Sequence, residues 1–168
     1  MIVFKSASRF AFTLLIVSFA IHNLEEALHI CNHPVVFPKS FFKPLICKQF
    51  VFATIVLTVI SLIAYIVALR TTKKATYLFI STAIAAALLI NAFIPHIAVA
   101  IYTLHYTPGV YSAIFLLVPL SIYILIQNRK ASESVRQFAK YVIAGIAAGY
   151  LLFVLTLLIS KLLIAVES

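Results

Sequence analysis

Unbroken apolar runs of membrane-crossing length constrain this chain more than any other feature. Backbone N–H and C=O groups cannot be left unpaired in hydrocarbon, and a helix pairs them within one segment. Such a helix needs about 20 apolar residues. Runs bounded by charged residues, Pro or Gly number five, at about 9–30, 49–69, 75–105, 110–127 and 138–163. Composition agrees: 64% of residues are hydrophobic and 10% charged, against about 45–50% and 25% in soluble domains. The expected fold is all-α, a polytopic transmembrane helical bundle in a single domain, placed in the cell membrane.

The third run is too long for a simple span, and Pro95 lies inside it, so a kink is expected there. Tyr106-Thr107-Pro108-Gly109 follows as a tight turn, with Pro and Gly in the positions a type II turn prefers. The first run has the basic flank and the small-x-small site Ser18-Phe19-Ala20 of a signal peptide. It stays apolar to Ile30, however, and reads as an uncleaved helix. The connection 31–48 carries Pro34, Pro38 and Pro44 and alternates aromatics with lysines, a composition suited to the headgroup layer. His33 reads as a loop residue.

A formal charge of +9 would suggest nucleic acid in a soluble protein. Here the basic residues lie between apolar runs, as topology determinants and anionic-lipid contacts, so no nucleic-acid partner is expected. With the N-terminus inside, nine Lys and Arg fall on the cytoplasmic side (5, 9, 70, 73, 74, 129, 130, 136 and 140) and four outside (39, 43, 48 and 161). The expected topology is N-inside and C-outside.

Within the first run stands His22-Asn23-Leu24-Glu25-Glu26-Ala27-Leu28-His29. The chain has four carboxylates, Glu25, Glu26, Glu133 and Glu167, and no Asp. Two of the four thus sit at membrane depth, where an ionisable group costs roughly 2.5–3.5 kcal/mol on insertion scales. At about 100° per residue, His22 and His29 are about 20° apart, Glu26 about 40° to one side and Glu25 about 60° to the other. All four fit one arc facing the bundle interior. This spacing can supply ligands to one metal such as zinc, from His22, Glu26 and His29. It also suits a buried acid/base pair, with Glu25, Glu26 and His22 as the catalytic groups. No Lys or Arg lies inside a run away from its ends, so an ordinary structural ion pair has no partner. His29 lies near the outer boundary, where snorkelling is the alternative.

The third run supplies a counterpart. At 1.5 Å per residue, Asn91 and His96 lie about 22 and 30 Å from its cytoplasmic end, and His22 and His29 about 20 and 30 Å from theirs. The depths match, which makes His96 a metal-ligand candidate. Asn91 and His96 are still about 140° apart on an ideal helix. They share a site only if Pro95, which frees the carbonyl of Asn91, distorts the turn. For Asn91 the alternative is an interhelical hydrogen bond. His105 and Tyr106 are expected at the outer interface, as entrance lining or as aromatic-belt and turn residues. A single metal site also requires His96 close to Glu26, since zinc ligands sit about 2 Å from the ion.

Cys31 and Cys47 end one connection on one side, and a disulfide or two free thiols are equally open. Ala144, Gly145, Ala148 and Gly149 form overlapping small-xxx-small pairs, matched by Ser81, Ala83, Ala85, Ala86 and Ala87 in the third run. Close packing within the chain is expected from them, with homodimerisation as the lesser reading.

His22-x-x-Glu25-Glu26 in the first span, a later Asn91…His96 segment and Tyr106-x-Pro108-Gly109 resemble the HXXEE-motif family of small integral membrane proteins. The resemblance covers about 10–109. That family has no established activity, so the resemblance supports the choice of residues and implies no reaction.

The leading expectation is a membrane-embedded enzyme acting on a lipid or other apolar substrate by hydrolysis, transfer or isomerisation, with or without a metal. The alternatives are a proton- or metal-coupled transporter and a non-catalytic membrane scaffold. Five spans with no visible inverted repeat count against the transporter. Buried carboxylates count against the scaffold.

Overall fold

The computed structural model describes residues 2–32 and 47–165. Its five helices long and apolar enough to cross a membrane are α1 (Ile2–His29), α2 (Cys47–Arg70), α3 (Lys74–Thr103), α4 (Val110–Ala131) and α5 (Val135–Ala165). No strand occurs among the described residues. Expectations for the connection between α1 and α2, including His33, Lys39, Lys43 and its prolines, lie outside those residues, as does Glu167.

On α1, Phe10, Leu14, Val17, Ile21, Leu24 and Leu28 recur every three or four residues and are exposed, the stripe a lipid-facing helix presents. Phe12, Leu15, Phe19, His22 and Glu26 occupy the opposite, buried face. A core forms where these meet Ala85, Leu88 and Ala92 of α3 and Ala113, Leu117 and Ile124 of α4. Asn23 fastens α1 to α2, donating to the Thr58 hydroxyl at 2.6 Å and to the Thr54 carbonyl at 3.2 Å. The sulfurs of Cys31 and Cys47 are joined as a disulfide, tying the end of α1 to the start of α2.

The small residues of α5 are spent within the chain. A Cβ on Gly145 would clash with the Ala83 backbone, and one on Gly149 would lie 2.7 Å from the Ala87 Cβ. Close approach of this kind replaces hydrophobic driving force, which is absent between helices in lipid. Next to Ala83 on α3, Ser81 and Thr82 accept from Asn128 of α4 at 2.8 and 3.0 Å.

Two helices depart from the simple rods the sequence suggests. α3 widens into a π-helical turn over Ala92–Ala98, which contains Pro95, and ends at Leu104 in the left-handed conformation. α4, expected to be regular, has a similar wide turn at Ala113–Leu117, just before Pro119. Proline has no N–H and its ring crowds the carbonyl four residues back. Closing i to i+5 relieves that crowding and keeps the chain helical. The two wide turns pack against each other. α5 starts at Val135, not 138: the Ser134 hydroxyl accepts the Gln137 N–H, and the Gln137 side chain accepts from the Glu133 N–H. That Ser-x-x-Gln pattern is a capping signal within the polar linker.

Candidate functional site

The wide turn in α3 decides the site. An i to i+5 closure stacks residue 96 over residue 91, removing the angular separation that an ideal helix imposes. His96 then enters the bundle beside His22 of α1, with ring centroids 4.6 Å apart and edge-to-face. Asn91 Nδ2 lies 3.5 Å from the Nε2 atoms of both histidines. Glu26 Oε1 is 3.2 Å from His96 Nε2 and 3.9 Å from His22 Nε2. His22, Glu26 and His96 are all buried. Their three ligand-capable atoms lie within 4.8 Å of one another.

Hydrogen bonds on the far sides of the rings fix which nitrogens carry protons. His96 Nδ1 is 2.8 Å from the Pro108 carbonyl, which can only accept, so Nδ1 donates. His22 Nδ1 is 3.0 Å from the Ser112 hydroxyl. That hydroxyl has one proton and is bonded to the Glu25 carboxylate and the Gly109 carbonyl, both acceptors. It therefore accepts from His22 Nδ1. Both histidines thus turn an Nε2 lone pair toward Glu26. Three acceptors converge with the Asn91 amide, 3.5 Å away, as the neighbouring donor, and a buried arrangement of that kind favours a proton or a cation between them.

Glu25 has the opposite environment. It accepts from the Tyr106 hydroxyl at 2.9 Å, from the Ser112 N–H at 2.9 Å and from the Ser112 hydroxyl. The Ser112 N–H belongs to the first turn of α4, where helical donors lack partners and favour an anion. Glu25, His29, Tyr106 and Tyr111 line an open cleft of about 390 Å³. Burial, and then the Glu25 carboxylate it serves, push the Tyr106 phenol above its ordinary ionisation range.

Glu26 and Asn91 border a second cavity, about 550 Å³, between α1, α2, α3 and α5. The two adjacent glutamates therefore serve different spaces, one an open cleft and the other an apolar chamber.

His29 does not join the three converging groups. Its Nδ1 donates to the Glu25 backbone carbonyl at 2.8 Å, and its ring meets Tyr106 at 5.7 Å. The shared face with His22 is real, but seven residues of rise separate the two by about 10 Å. His105 is exposed and bonded only locally, to Thr103, so it lines neither cavity.

The sequence reading took Gly109 as a turn residue only, and it missed Ser112. Gly109 has φ +86°, and a Cβ there would meet His22 Cε1 at 2.7 Å, Glu26 Cγ at 2.9 Å and His96 Cε1 at 3.0 Å. It is the turn glycine and also the surface against which the site packs. For Ser112, the available signal was its place in the first turn of a helix that starts just after Pro108-Gly109.

The model of the family described as proteins of unknown function with an HXXEE motif matches residues 13–124, which reach through both wide turns. No curated protein and no solved structure matches the chain.

Proposed function

Because the chain belongs to the family of proteins of unknown function with an HXXEE motif, its activity must be argued from its own site, and we propose a membrane-embedded enzyme that acts on a lipid or other apolar substrate. The observation that carries this reading is the convergence of His22 Nε2, His96 Nε2 and Glu26 Oε1 at the wall of an apolar cavity. The donor set suits a divalent ion such as zinc, because nitrogen and carboxylate ligands with fixed outer hydrogen bonds are what that ion takes. A single proton between Glu26 and His96 would leave His22 Nε2 with only the long 3.5 Å approach of Asn91. When bound, the ion would polarise a carbonyl or phosphoryl oxygen and activate water, which suits hydrolysis or transfer.

The chain's own groups divide the remaining work. Pro108 and the Ser112–Glu25 pair hold the two imidazoles in the tautomer that presents Nε2. Gly109 leaves room for the rings to approach. Glu25 sits on the cleft wall, at the outer end of the hydrogen-bonded path from His22 through Ser112. Without an ion, Glu26 and His96 at 3.2 Å are a general acid/base pair, and isomerisation is the matching reaction.

The nine-to-four distribution of Lys and Arg supports an N-inside orientation in the cell membrane. The Cys31–Cys47 disulfide, at the outer ends of α1 and α2 in that orientation, fits an oxidising side. The direct test incubates the purified protein with total membrane lipid and compares products by mass spectrometry. A product made by the wild type and lost in Glu26→Gln and His96→Ala supports the reading; identical product profiles overturn it.

A second reading, proton-coupled transport, draws on the path from Glu25 through Ser112 to His22, which joins a surface cleft to a buried site. It predicts proton flux in proteoliposomes that stops in Glu25→Gln.

A further inference from the structure

The cavity beside Glu26 is long. Its walls on α2 run from Phe50 to Ala64, and on α3 from Ala83 to Pro95. Fourteen residues of helix rise about 21 Å. A slot of that length, lined mostly by aliphatic side chains, matches an extended hydrocarbon chain lying along the helices.

Polarity is unevenly placed along it. Glu26, Asn91 and Asn23 lie toward the end bounded by Phe50, Ile94 and Val154. The other end is lined by the small residues Ala64, Ala83 and Gly145, and Gly145 closely approaches the Ala83 backbone there. Apolar walls in a bilayer confer no hydrophobic gain over lipid, so a chain is selected here by shape and by what its head meets. The ionisable wall groups are Glu26 and Tyr150, and no Lys or Arg takes part.

We propose that this cavity binds one alkyl or acyl chain, tail toward Ala64, with an uncharged hydrogen-bonding head such as an ester, amide or alcohol at Glu26 and Asn91. The inference rests on the enzymatic reading and supplies its substrate class: a single-chain neutral lipid, or one chain of a larger one. Chain length is then measured by the distance from Asn91 to the Ala64 end. No covalent step is needed for that selection.

The test uses the full-length protein in nanodiscs with photoreactive primary alcohols of short and long chain, read by intact mass and by the labelled peptide. Labelling in the wild type is expected on the walls of this cavity and is expected to favour the long chain. Ala64→Phe fills that end, so long-chain labelling should fall at least about tenfold while short-chain labelling persists. Persistence of the short probe also reports that the variant has folded. Ser61→Phe, one turn nearer the head, should exclude intermediate chains as well, and it replaces Ala64→Phe if that variant does not fold. Labelling that ignores chain length, or falls outside these walls, overturns the inference. Stronger labelling by the matching fatty acid overturns the uncharged head. Because the readout needs neither metal nor turnover, intact chain-dependent labelling without product formation would sink the enzymatic reading alone.

Discussion

Two buried polar clusters join α3 to its neighbours, and they differ in how donors meet acceptors. At one end, Asn128 of α4 gives its amide protons to the hydroxyls of Ser81 and Thr82. Both amide protons find acceptors, although the Asn128 Oδ1 has no hydrogen-bond partner, and the cluster is a clasp. At the other end, two histidine lone pairs and the Glu26 carboxylate face one another, with each histidine's proton committed elsewhere. Acceptors find acceptors, and the cluster favours a proton or a cation between them. Burial alone does not separate structural polarity from functional polarity in a membrane bundle. The donor count does.

The contrast is broken most severely at Glu26. Glu26→Gln or His96→Ala is expected to reduce metal occupancy at least about a hundredfold, because even outer-sphere changes cost about 10–100-fold. The metal-free variant should be no less stable than the metal-free wild type, since a carboxylate at that depth is itself costly. Ser112→Ala comes next. It leaves the ligands in place but frees the His22 ring and removes one of the three hydrogen bonds that hold Glu25, those from the Tyr106 hydroxyl and the Ser112 N–H being retained. Metal affinity should fall about 10–100-fold by competition titration. Gly109→Ala forces a left-handed residue and three close contacts on the site. A loss of about 1–2 kcal/mol from backbone strain alone is expected in thermal unfolding, together with weaker metal binding.

Asn128→Ala should have the smallest effect on the site and a measurable one on the bundle. Interhelical hydrogen bonds in membranes average about 0.6 kcal/mol, with a maximum near 1.7. A stability loss in that range, with metal affinity unchanged, would keep the two clusters distinct. Tyr106 gives a pH handle outside the spans. Its phenol is held protonated beyond the ordinary tyrosine range. Its contribution to stability is therefore complete below the unfolded value and is lost as pH rises through the folded one. Absorbance titration against Tyr106→Phe should show this ionisation moving to lower pH in Glu25→Gln.

Much of this contrast was legible in the chain, for identifiable reasons. Glu25, Glu26 and His22 stand out because charge within an apolar run is costly, and helical periodicity turned Glu26 and His22 inward. His96 could be paired with them by depth, but its direction depended on how the backbone accommodated Pro95, which periodicity cannot supply. The same limit hid the wide turn before Pro119. His29 was misassigned because angle about a helix axis says nothing about rise along it. The site roles of Ser112 and Gly109 stayed hidden because a serine and a turn glycine are ordinary residues until the fold brings α4 against α1. The boundary of α5 was misplaced by reading polarity as linker, although Ser134 and Gln137 carry a capping pattern.

The central claim is that the proposed site of His22, Glu26 and His96 takes a divalent ion, whereas the Asn128 cluster is a hydrogen-bonded clasp. Elemental analysis of freshly purified, chelator-free protein tests it most directly, on wild type, Glu26→Gln and Asn128→Ala side by side. The account predicts close to one zinc-class ion per chain in wild type and Asn128→Ala, and none in Glu26→Gln. Metal-free wild type, or equal metal in all three, would contradict it.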